Sequence, residues 1–103
     1  MKKGKVRKNI AKNFIEFLPH VEEYINEHIL LGDKVKILYL QKPQVYLLGL
    51  ESRGVAKVGD KQYVFDIELN SESGQITISS RAFWFRLDAR DAKKYAKLRE
   101  NFK

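Results

Sequence analysis

Tyr63-Val64-Phe65-Asp66-Ile67-Glu68-Leu69 alternates without a fault: Tyr63, Phe65, Ile67 and Leu69 fall on one side of an extended chain, and Asp66 and Glu68 on the other. A strand of this kind has one face in a core and one in water, the signature of an antiparallel sheet covered on a single side. The stretch before it, Val55–Val58, is joined through Gly59-Asp60, a two-residue Gly-X loop suited to a type II′ hairpin. Asn70-Ser71-Glu72-Ser73-Gly74 forms a polar loop, and Gln75–Leu87 follows as one long strand, bulged near Ser79-Ser80.

Working back toward the start, Val35–Leu40 reads as a first strand. Val45–Glu51 is a second, after a turn at Gln41-Lys42-Pro43-Gln44, and Glu51-Ser52-Arg53-Gly54 supplies a further turn. From about Lys8 to Leu31 the period changes to 3.6. Ile10, Phe14, Phe17, Leu18, Val21, Tyr24, Ile25, His28 and Ile29 cover about 140° of a helical wheel, wide enough to lie on a sheet. Pro19 projects nearly opposite that face and is expected to kink the helix there. Gly32 is the expected C-cap. At the other end Asp88 caps a helix from Ala89 to about Phe102, with Ala92, Tyr95, Leu98 and Phe102 as its apolar stripe.

The expected fold is therefore α+β: a long N-terminal helix, kinked near Pro19, packed on a four- to five-stranded antiparallel meander and followed by a C-terminal helix. The order of a long helix and then a meander resembles cystatin-like architecture, a curled sheet wrapped over one helix. That likeness is one of element order and carries no function. An OB-fold fits less well, because its helix interrupts the strands.

The chain has 103 residues, 44% of them hydrophobic, 32% charged and 12% aromatic, with two prolines, six glycines and no cysteine. This suits one domain spanning residues 1–103, with residues 1–8 as a flexible basic arm, and excludes collagen-like and wholly disordered chains. Without cysteine there is no disulfide frame, no thiolate nucleophile and no Cys-ligated zinc. No apolar run reaches membrane-spanning length, so no membrane partner is expected, and a cytoplasmic protein is the simplest expectation.

The net charge of +7 is unevenly spread. Residues 1–13 carry Lys2, Lys3, Lys5, Arg7, Lys8 and Lys12 and no acid; residues 14–80 net −4; residues 81–103 net +5. Basic ends around a mildly acidic middle point to a polyanion as partner, against the plainer reading of lysines that merely keep the chain soluble. Lys93, Lys94, Lys97 and Arg99 cluster on the last helix as a second patch.

Between the patches lies Arg81-Ala82-Phe83-Trp84-Phe85-Arg86-Leu87, apolar on both faces of a strand. Phe83 and Phe85 belong with Phe65 and Ile67 under the first helix, which leaves Trp84 and Arg86 outside. Exposed, Trp84 offers a base a π-surface, and Arg81 and Arg86 offer phosphates a cation. Covered by the C-terminal helix, the more ordinary arrangement, Trp84 anchors Tyr95 and Leu98 instead.

Other constellations are weak. Glu16, His20, Glu23 and Glu27 share one helical stripe, but with a single histidine they make an ordinary solvated pairing rather than a metal site. His28 reads as a partly buried, hydrogen-bonded residue. No GxGxxG, Walker A, HExxH or nucleophile-elbow pattern is present, and neither catalysis nor a cofactor is expected. The function expected is a non-enzymatic nucleic-acid-binding or nucleoprotein accessory domain, contacting phosphates through its basic ends. The alternative is a protein–protein adaptor or self-assembling subunit, a homodimer included, using the sheet face or edge, because Val45–Leu50 is apolar on both faces.

Overall fold

The structure, a computed structural model, describes residues 7–28 and 33–101. It has three α-helices and six strands: α1 Lys8–Phe17, α2 Val21–His28, β1 Val35–Leu40, β2 Gln44–Tyr46, β3 Gly49–Val58, β4 Lys61–Asn70, β5 Gln75–Ser79, β6 Trp84–Asp88 and α3 Ala89–Asn101. The strands form one antiparallel sheet in the order β1-β3-β4-β5-β6, with β2 beside β1 on the same edge of β3. The helices cover one face. This is the α+β arrangement expected from the sequence.

The N-terminal helical segment runs from Lys8 to His28 and is interrupted where Pro19 predicts, by a 3-10 turn at Leu18–His20. Pro19 is exposed, while Phe14, Phe17, Val21 and Ile25 are all but fully buried on the opposite side. Asn26 exchanges two hydrogen bonds with Val35, and Glu22 accepts one from the Ile37 amide, which ties α2 to β1. The expected cap at Gly32 lies outside the described residues.

Phe65, Ile67 and Leu69 sit in the core with Ile76, Ile78, Phe83 and Leu87 from the adjoining hairpins. The β3–β4 hairpin closes at Val58 and Lys61 around Gly59, whose φ of 64° is the left-handed value a II′ turn needs at its first position. Asp88 caps α3 by accepting a 2.8 Å hydrogen bond from the Arg90 amide, which holds the Asp88 carboxyl below its ordinary range.

Four boundaries differ from the sequence reading. Residues 51–54 are not a turn but the interior of β3. Ser52 is buried and donates to the Gln41 carbonyl at 2.5 Å, and Gly54 makes room for the Phe65 ring. The second strand is split, because Leu47 and Leu48 form a tight turn whose Leu48 carbonyl is held by the Ser71 amide and hydroxyl. The long strand over 75–87 is a hairpin. Ser80 Oγ accepts from the amides of Ala82 and Phe83, an ST-turn that reverses the chain without glycine or proline. Finally, Leu98 is exposed; Ala92 and Tyr95 of the expected stripe do pack, joined by Ala89 and Ala96, small side chains that let α3 approach closely, and Phe102 lies outside the described residues.

Candidate nucleic-acid interface

How α3 docks decides what the basic residues can do together. Gly74 sits beside both Ile10 and Ala89, so α1 and α3 begin at the same place. Further along, the Tyr95 ring lies 6.4 Å from that of Phe17 and 5.2 Å from that of Tyr24. Near the end of α3, Arg99 pairs with Glu23 and Glu27 of α2. The helix therefore runs parallel to the whole N-terminal segment and shares its layer.

One consequence is that the two basic ends of the chain meet. Arg7, Lys8 and Lys12 are exposed at the start of the helical layer; Lys94 and Lys97 are exposed on α3, and Lys93 is half-buried beside them. Among the described residues none of these six makes an ion pair. Arg90, which the sequence reading passed over, is exposed on the same helix but turned to Asp88 at 3.3 Å. The acids on this layer are Glu16, Glu22, Glu23, Glu27, Asp91 and Glu100; of these Glu22 is bonded to the Ile37 amide, and Glu23 and Glu27 are taken up by Arg99. Lys2, Lys3 and Lys5 lie outside the described residues.

Arg99 has a different place. It fastens the last helix to Glu23 and Glu27, where it is an internal counter-ion. Burial opposes the charge on Glu23, but the Arg99 hydrogen bond and charge outweigh it and hold the carboxyl below its ordinary value. The stripe of Glu16, His20, Glu23 and Glu27 is thus only partly solvated: Glu27 is exposed, whereas His20 is buried, 3.5 Å from Glu23, with Tyr95 edge-on to its ring. His28, by contrast, is exposed, stacked on Tyr24 and hydrogen-bonded through Nδ1 to the Tyr24 carbonyl.

Trp84 is not covered by the C-terminal helix. It stands on the solvent face of β6, 58% exposed, with the Arg86 guanidinium over its ring at 5.1 Å. Arg81 is exposed in the β5–β6 turn. Because β6 leads into a helix on the inner face, Tyr95 turns to Phe17 and Tyr24. Trp84 and Arg86 are consequently on the side of the sheet away from Lys12, Lys93 and Lys97.

That solvent face has its own character. Lys36 and Lys57 pair at one end, Arg53 is bonded to Asp66 at 2.8 Å, Glu51 faces Glu68, and Arg86 and Asp88 project from β6. Four cations and four carboxylates leave it neutral. Tyr39, Val64 and Trp84 are exposed on it, as is Tyr46. An open trough of about 540 Å³ is lined by Tyr46, Leu48, Glu51, Glu68, Thr77 and Arg86 among others. With two carboxylates against one guanidinium in its wall, it is a poorer seat for phosphate than the helical side.

Compared with known protein families, with characterised proteins and with solved structures, the chain matches none. Among the described residues no helix is long and apolar enough to cross a membrane.

Proposed function

We propose that the chain is a non-enzymatic, cytoplasmic nucleic-acid-binding or nucleoprotein accessory domain that grips phosphates on its helical side. The observation that carries this reading is the parallel docking of α1 and α3. It gathers Arg7, Lys8, Lys12, Lys93, Lys94 and Lys97 into one layer with no ion pairs among the described residues to neutralise them. Lys2, Lys3 and Lys5 precede them in the sequence and add to the same basic end. Contact of this kind releases counterions and reads no bases, so binding is salt-sensitive and weakly selective. Arg81, Trp84 and Arg86 stand apart from it, and base stacking on Trp84 is not part of the contact.

The test is fluorescence anisotropy of labelled single-stranded DNA, duplex DNA and RNA across a salt series. With six cations engaged on a duplex, the slope of log K against log salt is at most about −5, and each Lys→Gln change at Lys12, Lys93 or Lys97 lowers its magnitude by about 0.9. At about 0.15 M salt, where the two faces are screened from one another, Trp84→Ala leaves affinity unchanged. Absence of binding to every ligand at about 50 mM salt, or a slope indifferent to the three lysine changes, refutes the reading.

A further inference from the structure

We infer that the solvent face of the sheet is an interface for a second copy of this chain, with Trp84 of each copy seated in the trough of the other. Three observations converge on that occupant. The first is charge. In a protein of net charge +7 the helical side repels another copy, whereas the sheet face, with four cations against four carboxylates, does not.

The second is shape. Trp84 projects from the same face that holds the 540 Å³ trough. A two-fold axis lying in the plane of the interface, midway between projection and trough, places each Trp84 in the other copy's trough, as an isologous contact requires. Arg86, stacked on Trp84, travels with it. It then joins the other copy's own Arg86, which already lines the trough, beside Glu51 and Glu68; these stand directly opposite one another across β3 and β4 and make no ion pair among the described residues. Like charges so placed are unfavourable in an isolated chain. A second guanidinium lowers that penalty further than the resident Arg86 does alone.

The third is extent. The Cα trace measures 47 × 30 × 19 Å, so its broad side has room for the roughly 800 Å² per partner of a standard interface. Tyr39 and Val64 add exposed apolar surface to that side.

The experiment is sedimentation equilibrium of the full chain without nucleic acid, alongside the emission of its one tryptophan. The mass should rise with concentration toward twice 12.1 kDa and stop there, with Trp84 emission moving to shorter wavelength in step. Trp84→Ala and Val64→Arg alter residues 58% and 60% exposed, so both variants keep the fold, as circular dichroism will register. Each should raise the dimer dissociation constant at least about tenfold. A monomer at every concentration, growth beyond two copies, or a dimer whose constant neither variant changes overturns the inference.

Discussion

Replacing Gly54 by alanine tests the packing at the centre of the sheet. Gly54 is buried in β3 between Leu40 of β1 and Phe65 of β4. An added Cβ would stand 2.5 Å from Phe65 Cζ and 2.5 Å from the Tyr39 carbonyl oxygen. Ordinary carbon contacts begin near 3.5 Å, so each obstacle must retreat by about 1 Å. Phe65 is fully buried against Phe83, with ring centroids 5.9 Å apart, and the Tyr39 oxygen is backbone, so neither yields easily. Overpacking of this kind costs about 1–3 kcal/mol, and two obstacles place Gly54→Ala near the upper end. Loss of glycine's freedom in the unfolded chain returns about 0.5–1 kcal/mol. The net loss is about 2 kcal/mol, which lowers Tm by about 8–16 °C in a chain of this size. Urea unfolding and calorimetry measure both quantities. Phe65→Leu should relieve part of the clash, so the double variant loses less than the two single losses combined. A Gly54→Ala protein as stable as the parent, or two fully additive losses, would refute the packing argument.

Tyr95 offers a spectroscopic check. Its buried hydroxyl has no hydrogen-bond partner among the described residues, and burial, with Glu27 nearby, pushes its pKa up to about 12. In an alkaline absorbance titration it should ionise well above its ordinary value of 10, and Tyr95→Phe should remove that late step without loss of stability. Because burial raises the folded value, ionising the hydroxyl opposes the fold: stability is unaffected below pH 10 and falls as pH climbs from 10 toward 12, a fall that Tyr95→Phe abolishes. Glu23 behaves in the opposite sense. Its depressed carboxyl stabilises the fold above its ordinary value of 4.5 and ceases to do so as pH falls through the folded value. Arg99→Gln should therefore flatten the acid limb of stability against pH in urea titrations while leaving nucleic-acid affinity unchanged. A fall in affinity equal to that of Lys97→Gln would return Arg99 to the phosphate contact.

The strands that were legible in the sequence are those with one wet face. Tyr63–Leu69 alternates because Asp66 and Glu68 project into solvent, and that pattern alone fixes which side carries the helices. Val45–Leu50 has no such contrast, so the turn at Leu47-Leu48, held by Ser71 23 residues away, leaves no local mark. Gly54 carries an ambiguity of another kind: glycine serves both turns and close approaches, and Phe65 on the neighbouring strand decides between them. Ser80 reverses the chain through its own hydroxyl, a weaker signal than glycine or proline. At the candidate interface, the basic residues were readable as composition, but their convergence was not, since it depends on three alanines bringing α3 against α1. Arg99 reads like its lysine neighbours until Glu23, 76 residues earlier, is placed beside it. The carboxylate pair Glu51–Glu68 was hidden for the same reason as β3 itself.

The two sides of the molecule are also far enough apart to act separately. Even along its shortest dimension the Cα trace spans 19 Å, more than twice the Debye length of about 8 Å at 0.15 M salt. Under those conditions a second copy approaching the sheet meets a neutral surface and is little affected by the lysines behind it. At about 0.01 M salt the screening length grows to roughly 30 Å, and the field of the helical side reaches through the molecule. Dimerisation through the sheet and phosphate binding through the helices therefore respond to salt in opposite directions. Raising salt from about 0.01 to 0.15 M should strengthen self-association, by removing repulsion between two positive molecules, while weakening nucleic-acid affinity along its counterion slope. Bound nucleic acid should do what salt does, neutralising the helical sides and tightening the dimer at low ionic strength. Sedimentation equilibrium over the same salt series used for anisotropy makes the comparison directly. If both affinities fall together as salt rises, the cations of the helical side form the contact between copies, and the division of labour between the two faces is wrong.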